Sequence, residues 1–276
     1  MTGFLQMMAA PFVVALILVA MHGYLGSHVV KRGVIFVDIA LAQVAAFGVA
    51  VALFLGGEIG TDLAFAAGLG STLLGAVLLS RTRTRDDQVP QEAYIGIVYV
   101  VFSAAMILIL TQVPHGGEEI RHLLVGAILW VTWATVIKTA VIYGVLGVVL
   151  FFAHPTLHRI SVDPEGARRA GISLARWDFL FYLVLGTVVT SSVQIAGVLL
   201  VFTLLVVPTV MAMRLFRGER SQALFVLGTG TLAVSVGTLA SWVLDLPTGA
   251  AIVCTFGVFL ALQILGEHLH WKSRSE

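Results

Sequence analysis

Long apolar runs separated by short polar stretches recur from one end of the chain to the other. Runs at roughly 11–30, 34–56, 63–80, 94–112, 134–153, 178–193, 197–213, 223–243 and 249–266 predict nine helices of about the length that crosses roughly 30 Å of hydrocarbon. The runs lack the polar/apolar alternation of barrel strands, and lipid leaves backbone polar groups to be satisfied within their own segment, so helices are expected. The expected fold is all-α: a polytopic membrane protein of about nine transmembrane helices, with eight also compatible, in one domain over 1–276.

Composition agrees with that pattern. Of 276 residues 59% are hydrophobic and 11% charged, and a mean hydropathy of +1.00 excludes an ordinary soluble domain. The formal net charge of +1 gives no sign of nucleic-acid binding. The single cysteine, Cys254, has no intramolecular partner for a disulfide. The opening stretch "MTGFLQMMAAPFVVALILVAMHGYLG" has no basic leader and reads as the first span instead of a removable peptide.

Charge placement orients the spans. Alternate loops and the tail hold 14 of the 16 Lys and Arg residues, the exceptions being Arg121 and Lys138, so the positive-inside rule puts the N-terminus outside and the C-terminus inside. The stretch from 178 to 213 must then leave and re-enter the same side. Its turn is expected below the outer surface, at the polar "TSSVQ" of Thr190, Ser191, Ser192 and Gln194. Those residues suit either a helix pair whose hydroxyls bond to backbone or the lining of a substrate path. The longest interior loop, 154–176, contains "DPEGARRAGI", a short helix with Asp163 as N-cap, Pro164 in the first turn and Gly171 after the last. Such a helix suits docking to a partner protein or holding anionic headgroups.

Five segments in order resemble a known family: "LGSHVVKRGVIFVDIALAQVAAFG", "QEAYIGIVYVV", "DPEGARRAGI", "SSVQIAGVLLVFTLLVVPTVMAMRL" and "SWVLDLPTGAAIV". They are similar to permease subunits of bacterial ABC importers for zinc, manganese and related divalent cations. The resemblance implies a type II importer-like permease of the bacterial cytoplasmic (inner) membrane that cycles by alternating access. It implies a homodimer of permeases, two ATP-binding subunits and an extracytoplasmic metal-binding protein. Asp163, Pro164, Glu165, Ala167 and Gly171 would form the coupling helix seated in the ATPase. The pattern GxxxxGK[ST] is absent, so ATP hydrolysis is expected on another polypeptide and this chain is a transport subunit, not an enzyme. It would bind no cofactor; the divalent cation, zinc, manganese or iron, is cargo.

The sequence departs from the family at its intramembrane metal pair. Many of these permeases carry Asp and His four residues apart, on one helix face. Here Asp38 is followed four later by Ala42, and five later by Gln43, which places Asp38 and Gln43 about 140° apart around a helix. Asp38 is a candidate for the transport path and metal, or for a structural pair with Lys31 or Arg32. Gln43 is a candidate for the path or for interhelical packing. The altered pair keeps open a permease for a chelate such as a siderophore or cobalamin. A passive channel and an intramembrane metalloenzyme are further alternatives, although no HExxH is present.

The remaining polar groups have two readings each. His22 and His28, six apart, are ligands or backbone-bonded histidines; Glu92 marks an exit or sits at a helix N-terminus. In "PHGGEEIRHLLVG", His115, Glu118, Glu119 and His122 form a helical stripe of two nitrogen and two oxygen ligands, or belong to a solvated loop. His154, His158, His268 and His270 are expected to be interfacial.

Overall fold

The structure, a computed structural model, describes residues 2–58, 60–82, 89–113, 126 and 128–275, with backbone alone at 2–6 and 269–275. The described residues form nine α-helices and a short 3-10 turn at Ile128–Trp130. In chain order these are α1 (Thr2–Lys31), α2 (Val37–Phe54), α3 (Asp62–Arg81), α4 (Gln91–Leu110), α5 (Trp133–Val162), α6 (Pro164–Arg169), α7 (Leu174–Leu215), α8 (Glu219–Leu244) and α9 (Thr248–Ser275). All but α6 are long and apolar enough to cross a membrane.

Helices α1, α2 and α7 form the centre. Fourteen of the 18 residues of α2 are buried, so its apolar surface meets protein on nearly every side. Helices α4, α5, α8 and α9 surround that centre and expose large apolar side chains such as Leu108, Phe151, Phe152, Leu224 and Leu262, as lipid-facing helices do.

The 42 residues of α7 would measure about 63 Å as one helix, twice what a bilayer core needs. The helix is broken at one residue, Gly197 (φ 77°, ψ 160°). Asp178 of the first arm bonds to Arg32, while Met211 and Arg214 of the second arm meet Gln263 and Glu267 of α9. Thr209 packs beside Gly26, near the same end of α1 as Arg32. Both arms therefore start and finish at one end of the bundle, and Gly197 turns the chain back. The expected turn at Thr190–Gln194 is corrected: those residues complete the first arm as helix, and the reversal follows them. Gly126 presses on it, since a Cβ there would come within 2.2 Å of the Ala196 carbonyl carbon.

A second correction concerns α5, which runs to Val162 with Pro155 inside it, so His154 and His158 are helical instead of lying in a loop. The end of the bundle that holds the start of α7 also carries Lys31, Arg32, Arg159, Arg168, Arg169, Arg176, Arg214, Arg217 and Arg220, and is called the basic end below.

Candidate transport path and coupling loop

Asp38 occupies the first turn of α2 and is 1% exposed. Neither carboxylate oxygen has a hydrogen-bond partner among the described residues; the backbone N–H groups of Asp38 and Ile39 lie beside it, outside hydrogen-bond geometry. Those N–H groups, at the positive end of the helix dipole, favour a carboxylate at this position. The alternative of a structural pair with Lys31 or Arg32 is not formed among the described contacts. Lys31 pairs with Glu219, and Arg32 pairs with Asp178 at 2.7 Å. Gln43 is also buried, with Oε1 lacking a partner among the described residues. Because α2 is unbroken between them, the two groups point about 140° apart and do not share a ligand.

The hydroxyls of Thr190, Ser191 and Ser192 bond to protein groups, as in a packed helix pair. Thr190 Oγ1 lies 2.8 Å from Thr72 Oγ1, joining α7 to α3. Ser192 Oγ donates to the Val188 carbonyl at 2.8 Å and lies 3.2 Å from His22 Nε2, while His22 Nδ1 lies 2.8 Å from the Leu18 carbonyl. Ser191 and Gln194 line a cavity of about 330 Å³ with Thr135, Lys138 and Thr139 of α5. Gln194 Nε2 is buried there without a partner among the described residues. His115, Glu118, Glu119 and His122 lie outside the described residues.

The short helix α6 forms for the local reasons its sequence carries. Asp163 Oδ1 accepts the Gly166 N–H at 2.8 Å, and Pro164, with no N–H to satisfy, takes the first helical position. At the other end Gly171 (φ 79°) adopts the left-handed conformation, and the Ile172 N–H returns to the Ala167 carbonyl at 3.1 Å. Ala167 is buried with Ile160 and Leu174, anchoring the inner face, while Glu165, Arg168 and Arg169 remain exposed.

The profile of the ABC 3 transport family matches residues 4–266. The chain belongs to that family. The ABC 3 chain is 25% identical over 218 residues to the manganese transport system membrane protein MntB of Synechocystis sp., covering 77% of this chain and 69% of that one. A "Probable iron transport system membrane protein" of Haemophilus influenzae is 23% identical over 259 residues, covering 94% and 93%. The solved structure of PsaBC from Streptococcus pneumoniae in complex with Fab superposes with a TM-score of 0.77 at 21% identity, covering 94% of this chain and 90% of that chain.

Several polar partners in this ABC 3 chain have no local sequence signal. Arg32 Nε donates to Ser161 Oγ at 2.9 Å while its Nη1 donates to Asp178, and its guanidinium stands 4.1 Å from the Phe181 ring centroid. Ser161 lies in the last turn of α5, before α6, and Asp178 lies near the start of α7, after it, so one arginine joins both flanks of the loop to the α1–α2 connection. Glu92 Oε1 accepts the Ile35 N–H at 2.9 Å in that same connection. Tyr143 Oη donates to the Val188 carbonyl at 3.1 Å, holding α5 against the first arm of α7.

Proposed function

We propose that the chain is the permease subunit of an ATP-driven importer for a divalent metal cation, manganese, zinc or iron. The match of the ABC 3 family profile to residues 4–266 carries this reading. Relatives described as manganese and iron transport membrane proteins support the choice of cargo. In this reading the permease acts as a homodimer with two ATP-binding subunits and an extracytoplasmic metal-binding protein. It sits in the cytoplasmic membrane with its N-terminus outside and the basic end inside.

The chain's own residues would contribute as follows. Exposed Glu165, Arg168 and Arg169 of α6 meet the ATPase. Closure of the ATPase dimer displaces α6, and the Arg32 contacts to Ser161 and Asp178 carry that displacement to the start of α2, where Asp38 lies. Asp38 supplies negative charge on the cation's route, while Gln43, Ser191 and Gln194 offer neutral oxygen and amide groups further along. Alternation between inward and outward access then requires the α7 hairpin to move against α1, α2 and α5.

A metal-chelate permease is the second reading. It is favoured by one observation: no group of three His, Cys, Asp or Glu side chains among the described residues is arranged to hold a bare ion. Co-expression with an ABC-type ATP-binding subunit tests the leading assignment. A stable complex whose ATPase activity rises with the metal-loaded binding protein is expected; a permease that purifies alone and passes metal without ATP would contradict it.

A further inference from the structure

Apart from the α2 and α7 groups, a cavity of about 440 Å³ lies at the basic end between α1, α5 and α8. His28, His154 and His158 line it with Tyr24, Lys31 and Glu219. His154 and His158 stand one turn apart on α5 with ring centroids 5.7 Å apart, and His28 lies 6.1 Å from His154. Two imidazoles on one tetrahedral ion, with metal–nitrogen bonds of about 2.0–2.1 Å, have centroids roughly 5 Å apart. The α5 pair is within a small side-chain adjustment of that spacing.

The hydrogen bonds also leave suitable nitrogens available. His158 Nδ1 lies 3.0 Å from Glu219 Oε1. An ionised carboxylate only accepts, so Nδ1 carries the proton and Nε2 the lone pair. His28 Nδ1 lies 3.0 Å from Ser161 Oγ, whose proton goes to the Leu157 carbonyl at 2.8 Å, fixing the same tautomer. His154 Nδ1 meets Tyr24 Oη at 2.9 Å, and the phenol oxygen can accept from it. An acceptor behind Nδ1 is how metal-ligating histidines are oriented, and two histidines four apart on a helix face is a zinc-binding spacing.

We infer that His154 and His158 form a two-imidazole site for a divalent transition-metal cation at the basic end of the bundle, oriented by Tyr24 and Glu219. Because no third His, Cys, Asp or Glu among the described residues joins them in a ligand group, water is to complete the coordination. Lys31, whose ammonium pairs with Glu219, and Arg220 bring positive charge to the same cavity. Both features weaken binding, which suits a cation in passage. That this cation is imported cargo rests on the function proposed above; the binding itself does not.

Zn(II) titrated calorimetrically into the purified full-length chain in detergent tests the site. His154→Gln and His158→Gln should each weaken one binding event by about tenfold or more, and Asp38→Asn should leave that event unchanged. Glu219→Gln should weaken it about 10–100-fold, as loss of an orienting partner does. Lys31→Met should tighten it, a change that a purely structural latch would not produce. Isotherms unchanged in both histidine variants, or affinity unchanged or lowered by Lys31→Met, would overturn the assignment. ATP-driven uptake with histidine-independent binding would sink this site and leave the importer standing, whereas histidine-dependent binding without ATP-driven uptake would do the reverse.

Discussion

Arg32 donates to Asp178 at 2.7 Å with the two side chains 2% and 0% exposed, which makes this pair a buried tie between the α1–α2 connection and the start of α7. Removing one partner from a buried ion pair leaves a charge without its counter-charge and costs about 3–5 kcal/mol. Arg32→Met and Asp178→Leu should each lower the unfolding temperature of the purified chain. The Arg32→Met/Asp178→Leu double variant should lose less than the two single losses combined. Additive losses in a double-mutant cycle would show that the two residues act separately.

Gly197 makes a second prediction. Its φ and ψ fall in a region that is almost closed to other residues, at a cost of about 1–3 kcal/mol. Gly197→Ala should destabilise the chain by roughly that amount in thermal unfolding. Gly70→Ala, where a Cβ meets nothing within 4 Å inside α3, should be neutral or slightly stabilising. Equal effects at both positions would remove the special role of the turn.

Much of this architecture is legible in the sequence, and the exceptions have physical causes. Run length and hydropathy place the spans because a bilayer demands them. Asp163, Pro164 and Gly171 place α6 because caps are local chemistry. The turn in α7 is displaced from the polar "TSSVQ" because Ser191 and Ser192 bond to carbonyls three and four residues back, which is compatible with continuing the helix. Helix α5 outlasts its apolar run because its polar last turns are held by protein, through Tyr24 on His154 and through His28 and Arg32 on Ser161. Arg32 and Asp178 are 146 residues apart, and Glu219 at the start of α8 reaches His158 on α5, so no spacing rule finds either contact.

Asp38 separates function from stability. Its buried carboxylate has no hydrogen-bond partner among the described residues, so Asp38→Asn should leave the unfolding temperature unchanged or raise it while metal uptake falls. A loss of stability with uptake preserved would make Asp38 a structural helix-terminal carboxylate and remove it from the transport path.

The α6 loop should act on coupling alone. Glu165→Ala combined with Gly171→Val is expected to abolish co-purification with the ATP-binding subunit and transport together, with membrane insertion intact. Asp163→Ala, which removes the cap, should cost about 0.5–2 kcal/mol locally and weaken the same interaction. Normal ATPase association in both variants would take α6 out of the interface.

Manganese uptake into proteoliposomes containing the permease, its ATP-binding subunit and the metal-binding protein is the most direct measurement of the central claim. Uptake should require ATP, fall in the Asp38→Asn and Glu165→Ala/Gly171→Val variants, and be competed by zinc or iron according to their affinity. Uptake that runs down a gradient without ATP, or accumulation of a chelate with no accumulation of the free ion, would contradict it.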